Sequence, residues 1–86
     1  MPGPSVAVVK IMPDSVDTDL GKIEAQIKNV SQVQKIERKP IAFGLNAILA
    51  TILVDEAKGG TDALEEKLGA IKGVSEVTIE RVSLVG

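Results

Sequence analysis

Apolar positions along the chain switch between two periods, which predicts strands separated by helices. Residues 5–12, SVAVVKIM, are rich in β-branched side chains and stop at Pro13, as expected of a strand. The next segment has apolar residues at three- and four-residue spacing, which predicts a helix with one apolar stripe. The stripe consists of Leu20, Ile23, Ile27 and Val30. Asp17 or Thr18 is the expected cap of this helix, with Asp19 in its first turn.

The middle of the chain predicts two strands joined by a short connection. Residues 33–38 alternate only weakly, which favours a partly exposed edge strand. The alternation sets Val33, Lys35 and Glu37 against Gln34, Ile36 and Arg38. Pro40 cannot donate to a strand ladder and therefore fits near the end of this strand. Residues 45–54, LNAILATILV, form a stronger strand that is apolar on both faces, and the pair predicts a hairpin with residues 40–44 near its turn.

The last third of the chain predicts a second helix and a fourth strand. Thr61 is the candidate cap of the helix, and Gly73 marks its expected end. The apolar stripe of this helix consists of Leu64, Leu68 and Ile71. Residues 74–85, VSEVTIERVSLV, alternate Val77 and Ile79 with polar side chains, which is typical of a strand with one wet face.

The element order β-α-β-β-α-β predicts an α+β fold of the ferredoxin-like type. Right-handed crossovers place the first and third strands in the centre of a four-stranded antiparallel sheet, with both helices on one face. Residues 5–86 form this single domain, and residues 1–4 are expected to be a flexible tail. Both central strands are apolar on both faces, so the open face should retain apolar surface. A homodimer contact and simple tolerance of surface apolar residues both explain such a patch.

Composition narrows the classes of function. The 86 residues include no cysteine and no histidine, which removes disulfides, thiolate metal sites and the commonest general base. The net charge of −2 argues against binding nucleic acid through phosphate contacts. The chain shows neither a signal-peptide pattern nor an apolar run of membrane-spanning length, so a cytoplasmic protein without membrane contact is expected.

Three local patterns resemble ligand sites but lack their requirements. KGGTD at residues 58–62 lacks the spacing of a phosphate-binding loop, and a flexible helix entry explains it better. DSVDTD at residues 14–19 gathers three carboxylates without the ligand run of a calcium loop. The central strands carry aliphatic residues where RNA-binding sheets of this type carry aromatic ones. Covalent catalysis, a metal and a cofactor are therefore not expected.

Phe43 is the only aromatic residue in the chain. A phenylalanine most often anchors a core. Here Pro40 stiffens the approach, Gly44 permits a sharp turn, and the segment lies at the hairpin end of the sheet. These features favour a ring presented to a partner, because a rigid aromatic at a loop tip is a typical binding anchor.

Three motifs in this order are similar to those of a known family. These motifs are KPIAFGL, the long aliphatic strand and GGTDALEEKL, and they are preceded by VKIMPDSVDTDL. Over residues 6–82 the chain resembles archaeal elongation factor 1-beta and the C-terminal exchange domain of the eukaryotic factor. The resemblance implies a ferredoxin-like, non-enzymatic factor that promotes exchange of GDP for GTP on elongation factor 1-alpha by distorting its nucleotide and Mg²⁺ site. It also implies that the ring of Phe43 inserts into the GTPase. The segment presenting the ring is Pro40, Ile41, Ala42 and Gly44.

The chain departs from the eukaryotic pattern near its C-terminus. The eukaryotic factor has a lysine there that reaches the Mg²⁺ region, whereas this chain ends ERVSLVG and has Arg81 as its nearest positive charge. The role of the lysine is therefore not transferred. The alternative function is a small-molecule-sensing regulatory domain of the same fold that dimerises through its sheet. A ribosome- or tRNA-associated accessory role is disfavoured by the net charge.

Overall fold

The computed structural model describes residues 5–84 and shows the predicted order of elements. The strands are β1 (Ser5–Pro13), β2 (Gln32–Pro40), β3 (Asn46–Val54) and β4 (Val74–Leu84). The helices are α1 (Leu20–Val30) and α2 (Gly60–Gly69), with short 3-10 turns at Ala42–Gly44 and Glu56–Lys58. The predicted tail at residues 1–4 and the strand end at Val85 lie outside the described residues. None of the helices within residues 5–84 has the length and apolarity needed to cross a membrane.

The four strands form one antiparallel sheet in the order β2-β3-β1-β4, which confirms the predicted ferredoxin-like arrangement. The central pair aligns Ala7 with Ile52 and Ile11 with Ile48. All four side chains are fully buried, while the residues that alternate with them lie on the other face. The alternation therefore assigns one face of the sheet to the core.

The core lies between this face of the sheet and the two helices. The predicted stripes supply its helical half, since Ile23 and Ile27 of α1 and Leu64 and Leu68 of α2 are all buried. Ile71, just after α2, is buried with them. Removal of these aliphatic side chains from water is the main stabilising term of a small fold.

Two bulges change the faces that the sequence pattern predicts. Val33 pairs with Ile52 and Lys35 with Thr51, so Gln34 is an extra residue in β2. Val33 and Ile36 consequently both pack against the core, and the predicted alternation is wrong in setting these two residues on opposite faces. In β4, the bulge that changes the pattern precedes Arg81, and from Glu80 to Leu84 all side chains are exposed. The prediction of one wet face therefore holds only for the first half of β4.

The cap of α1 lies one or two residues later than predicted. Asp19 is the cap, because its carboxylate accepts a hydrogen bond from the backbone N–H of Lys22 at 3.3 Å. Thr18, one of the two predicted caps, instead donates its hydroxyl to the carboxylate of Asp14. The prediction of Asp17 or Thr18 as cap is wrong, because the helix begins at Leu20 and the side chain of Thr18 is used within the loop.

The start and end of α2 also differ from the prediction. The cap is Gly59 with φ of 102°, and Thr61 makes no capping hydrogen bond. A Cβ on Gly59 would lie only 2.6 Å from a side-chain carbon in the first turn of the helix, so the glycine is required sterically. The helix ends at Gly69 rather than Gly73, and Gly73 with φ of 95° turns the chain into β4.

The open face of the sheet carries the predicted apolar strip, although its side chains are only partly exposed. Its principal members are Val6, Val8, Leu49 and Leu53, all half-buried. Ion pairs flank the strip, with 3.8 Å between Lys10 Nζ and Glu80 Oε1 and 3.1 Å between Lys35 Nζ and Glu37 Oε1. The long stems of such side chains cover neighbouring apolar surface, so the strip is narrower than the sequence pattern suggests.

Substitution of two neighbouring residues tests the one-sided core. Ile52→Ala should lower the free energy of unfolding by about 2–5 kcal/mol, because Ile52 is fully buried beneath the helices. Leu53→Ala, on the open face, should cost about 1 kcal/mol, since part of its side chain already contacts water. Urea unfolding measures both values, and equal losses would contradict a core confined to the helical face.

Candidate functional site

Phe43 lies at the tip of the hairpin that joins β2 and β3, and 93% of the residue is exposed. Pro40 ends β2, Ile41 is half-buried, and Ala42 and Gly44 are exposed beside the ring. The structure thus gathers all five predicted site residues in one protruding loop and places the ring outside the core. Their predicted role in binding a partner stays a prediction.

The tip is a tight turn of type I′ geometry. Phe43 has φ of 63° and ψ of 29°, and Gly44 has φ of 76°. The backbone N–H of Leu45 donates to the carbonyl of Ala42 at 3.3 Å, and that of Ile41 donates to the carbonyl of Leu45 at 2.8 Å. Positive φ at both central residues matches the twist of a hairpin and explains the glycine.

The first central position of this turn is unfavourable for phenylalanine. Turns of this type prefer asparagine or glycine there, and the left-handed conformation costs another residue about 1–2 kcal/mol. Within residues 5–84, Phe43 is the only non-glycine residue with positive φ. Neither burial nor backbone preference accounts for the ring, and strained backbone of this kind clusters at functional sites.

The hairpin extends beyond the central part of the sheet. Pairing of β1 with β3 ends at Ile11 and Ile48, whereas pairing of β2 with β3 continues to Pro40 and Asn46. The last rows before the turn therefore form a two-stranded ribbon. This ribbon carries the loop away from the helices and makes the ring accessible to a second molecule.

An ion pair anchors the base of this ribbon to α1. Arg38 Nε lies 2.9 Å from Glu24 Oε2, and a terminal guanidinium nitrogen lies 3.1 Å from Glu24 Oε1. The hydrogen bond from Arg38 holds the pKa of Glu24 below its ordinary value, against the opposing effect of burial. The same bond raises the pKa of Arg38. Both groups are therefore charged at neutral pH.

No local pattern in the sequence indicates this ion pair. Glu24 and Arg38 are 14 residues apart. The predicted alternation sets Ile36 and Arg38 on one face, but only the packing of Ile36 against the core shows that this face lies on the side of α1. The carboxylates of Asp14 and Asp19, in contrast, accept hydrogen bonds within the loop and at the helix cap.

The side chains of the loop limit what the site can do. Residues 40–44 carry no acid, base or nucleophile, and their side chains are all apolar or absent. Within residues 5–84 the structure shows no group of three or more metal-ligating side chains. The loop can therefore fill an apolar pocket of another molecule, while it offers no group for proton transfer.

Comparison with known proteins covers nearly the whole chain. Residues 6–85 match the family model of the EF-1 guanine nucleotide exchange domain. The chain is 44% identical over 79 residues to elongation factor 1-beta of Methanocella arvoryzae, which covers 87% of this chain and 89% of that protein. It is 42% identical over 84 residues to elongation factor 1-beta of Methanothermobacter thermautotrophicus (93% and 94%). Identity to elongation factor 1-beta of Halobacterium salinarum is 39% over 80 residues (88% and 91%).

Substitution at the tip should stabilise the fold. Phe43→Asn should raise the free energy of unfolding by about 1 kcal/mol, because asparagine tolerates the left-handed conformation and little buried area is lost. For a domain of this size that corresponds to a rise in melting temperature of about 4–8 °C. Phe43→Ala is the matched control, since alanine has the same backbone penalty and should melt near the parent temperature. A lower melting temperature for both variants would show that the ring supports the core.

The Glu24 carboxylate should make stability depend on acid pH. Its pKa is lower in the folded than in the unfolded chain, so its contribution is present above the unfolded pKa and disappears as pH falls through the folded pKa. The free energy of unfolding, measured with urea between pH 7 and pH 3, should therefore begin to decline at about pH 4. Glu24→Gln should show a shallower decline, and equal declines would contradict the lowered pKa.

Proposed function

The chain belongs to the EF-1 guanine nucleotide exchange domain family, and from this membership we propose that it promotes exchange of GDP for GTP on cytoplasmic elongation factor 1-alpha. The matched relatives are named elongation factor 1-beta, and the alignments cover about nine tenths of each chain. The family supports an exchange-factor role, and the apolar loop supports binding of a protein partner.

The proposed mechanism is a shift in the conformation of the GTPase without covalent chemistry. The factor binds most tightly to a form whose nucleotide and Mg²⁺ site is distorted, so that GDP leaves faster. Linkage makes this effect reciprocal. The exchange factor lowers the affinity of the GTPase for nucleotide, and bound nucleotide lowers the affinity of the GTPase for the exchange factor to the same extent. Such a mechanism needs a surface with strong, oriented contacts rather than an acid, a base or a metal.

Phe43 is the observation that carries the proposal, because the fold holds its ring in solvent at a cost. Full burial of a phenylalanine side chain contributes about 1.5–3 kcal/mol, which is typical of a dominant anchor in a protein interface. The free energy that the exposed ring and the strained turn cost the folded protein is therefore recovered only when a partner buries the ring. We assign the binding of the GTPase to Phe43 with its neighbours Pro40, Ile41, Ala42 and Gly44.

The C-terminal part of the chain receives no role in this proposal. Arg81 is exposed in β4 and is the only cation of the described residues beyond Lys72. Val82 and Leu84 are exposed as well, at the end of the sheet that lies opposite the hairpin. The homodimer through the open face also stays a prediction, which the mass of the protein in solution tests.

Loss of the ring should slow exchange without unfolding the protein. Phe43→Ala and Phe43→Asn should raise the factor concentration needed for half-maximal GDP release by about tenfold or more, since an interface anchor is removed. Release of a fluorescent GDP analogue from the cognate elongation factor 1-alpha measures the rate. Because Phe43→Asn is expected to be the more stable protein, a loss in that variant cannot come from unfolding.

Val16→Ala serves as the control for removal of exposed apolar surface. Val16 is 61% exposed in the loop before α1 and should be dispensable. Unchanged exchange by both Phe43 variants would refute the proposed site. A rise in melting temperature with amino acids or nucleotides, without binding of the GTPase, would favour the small-molecule regulatory domain instead.

A further inference from the structure

Arg38 lies where the hairpin leaves the four-stranded sheet. It pairs with Ile48 of β3, and Ile48 pairs with Ile11 in the last row that β1 and β3 share. Beyond this row β3 pairs with β2 alone, through Lys39 and Pro40. Arg38 is therefore the last residue of β2 that lies in a row shared with β1.

The ribbon itself does not define that direction well. A two-stranded ribbon twists more strongly than a wider sheet and has little stability by itself, so few contacts hold it in one direction. β2 is the edge strand, and the residues that follow Arg38 in it, Lys39 and Pro40, are both exposed. Among residues 5–84, the pair of Arg38 with Glu24 is the only ion pair between the hairpin and a helix.

The geometry of the Glu24–Arg38 pair allows it to fix the orientation of the ribbon as well as its distance from α1. Two nitrogens of the planar guanidinium contact the two oxygens of one carboxylate, at 2.9 and 3.1 Å. A bidentate contact of this kind fixes the relative orientation of the two groups as well as their distance. Glu24 is held within α1, and only 19% of its side chain is exposed.

We propose that Glu24 and Arg38 are positioning residues that fix the direction in which the hairpin presents Phe43 to the GTPase. This inference rests on the proposed function of the hairpin tip. Without the pair the ribbon samples several directions, and only a fraction of molecules holds the ring as the complex requires. The apparent dissociation constant rises by the inverse of that fraction, while the maximal rate of exchange is preserved because the bound complex is the same.

Breaking the pair from either side tests the proposal. Arg38→Met and Glu24→Gln should each raise the half-saturating factor concentration for GDP release by about three- to tenfold, with an unchanged maximal rate. The double variant should lose no more than either single variant, because both substitutions break one interaction. In a Phe43→Ala background, Arg38→Met should have no further effect, since no ring remains to be positioned.

The Lys35–Glu37 pair offers a matched control on the same strand. Its atoms lie 3.1 Å apart on the open face, with no helix nearby to anchor them. Lys35→Met and Glu37→Gln also remove one surface ion pair, and they should leave exchange unchanged. An equal effect of these control variants would mean that exchange responds to charge in general, and would overturn the positioning role.

Two outcomes separate failure of this inference from failure of the proposed function. If Phe43→Ala impairs exchange while Arg38→Met does not, the hairpin tip binds the GTPase but the ion pair does not position it. If Arg38→Met impairs exchange and Glu24→Gln does not, Arg38 contacts the GTPase directly and the positioning role is wrong. If Phe43→Ala itself leaves exchange unchanged, the proposed function of the tip fails first.

Discussion

Aliphatic side chains of one sheet face are buried under α1 and α2, and the other features of the molecule depend on this one-sided burial. Val9 and Ile52 meet Ile27 and Leu68 in a core that contains no aromatic ring. Because the aliphatic residues fill the space between the two layers, the fold does not need Phe43 for its stability. The one large ring of the chain is thus free to lie at the hairpin tip.

The hairpin tip combines two features that oppose stability. The ring of Phe43 is almost fully exposed, and its backbone adopts a conformation that phenylalanine disfavours. Such a tip persists only when the surrounding structure enforces it, here through the hydrogen bonds of the turn and the ladder between β2 and β3. The same rigidity benefits a binding site, because a ring that is already oriented loses little entropy when a partner covers it.

The family of the chain and the chemistry of its loop agree on the kind of function. Under the proposed mechanism the protein favours one conformation of a GTPase, and that task requires oriented binding energy rather than reactive groups. The loop of residues 40–44 offers apolar contact and a rigid turn. The ion pair of Glu24 with Arg38 connects β2, just before this loop, to α1.

The sequence alone determined the elements, their order and the aliphatic stripes of both helices, because these features depend on local periodicity. It also determined that Phe43 lies in a hairpin turn, because glycine and proline mark that turn. Tertiary structure decided the faces of the edge strands, since the extra residue Gln34 puts Val33 on the same face as Ile36. The packing of this face against the helices then brings Arg38 opposite Glu24. It also decided the helix caps, because competing hydrogen bonds in the loop before α1 leave Asp19 to cap the helix. A bulge and a contact across 14 residues depend on how whole elements pack, and no local pattern records that packing.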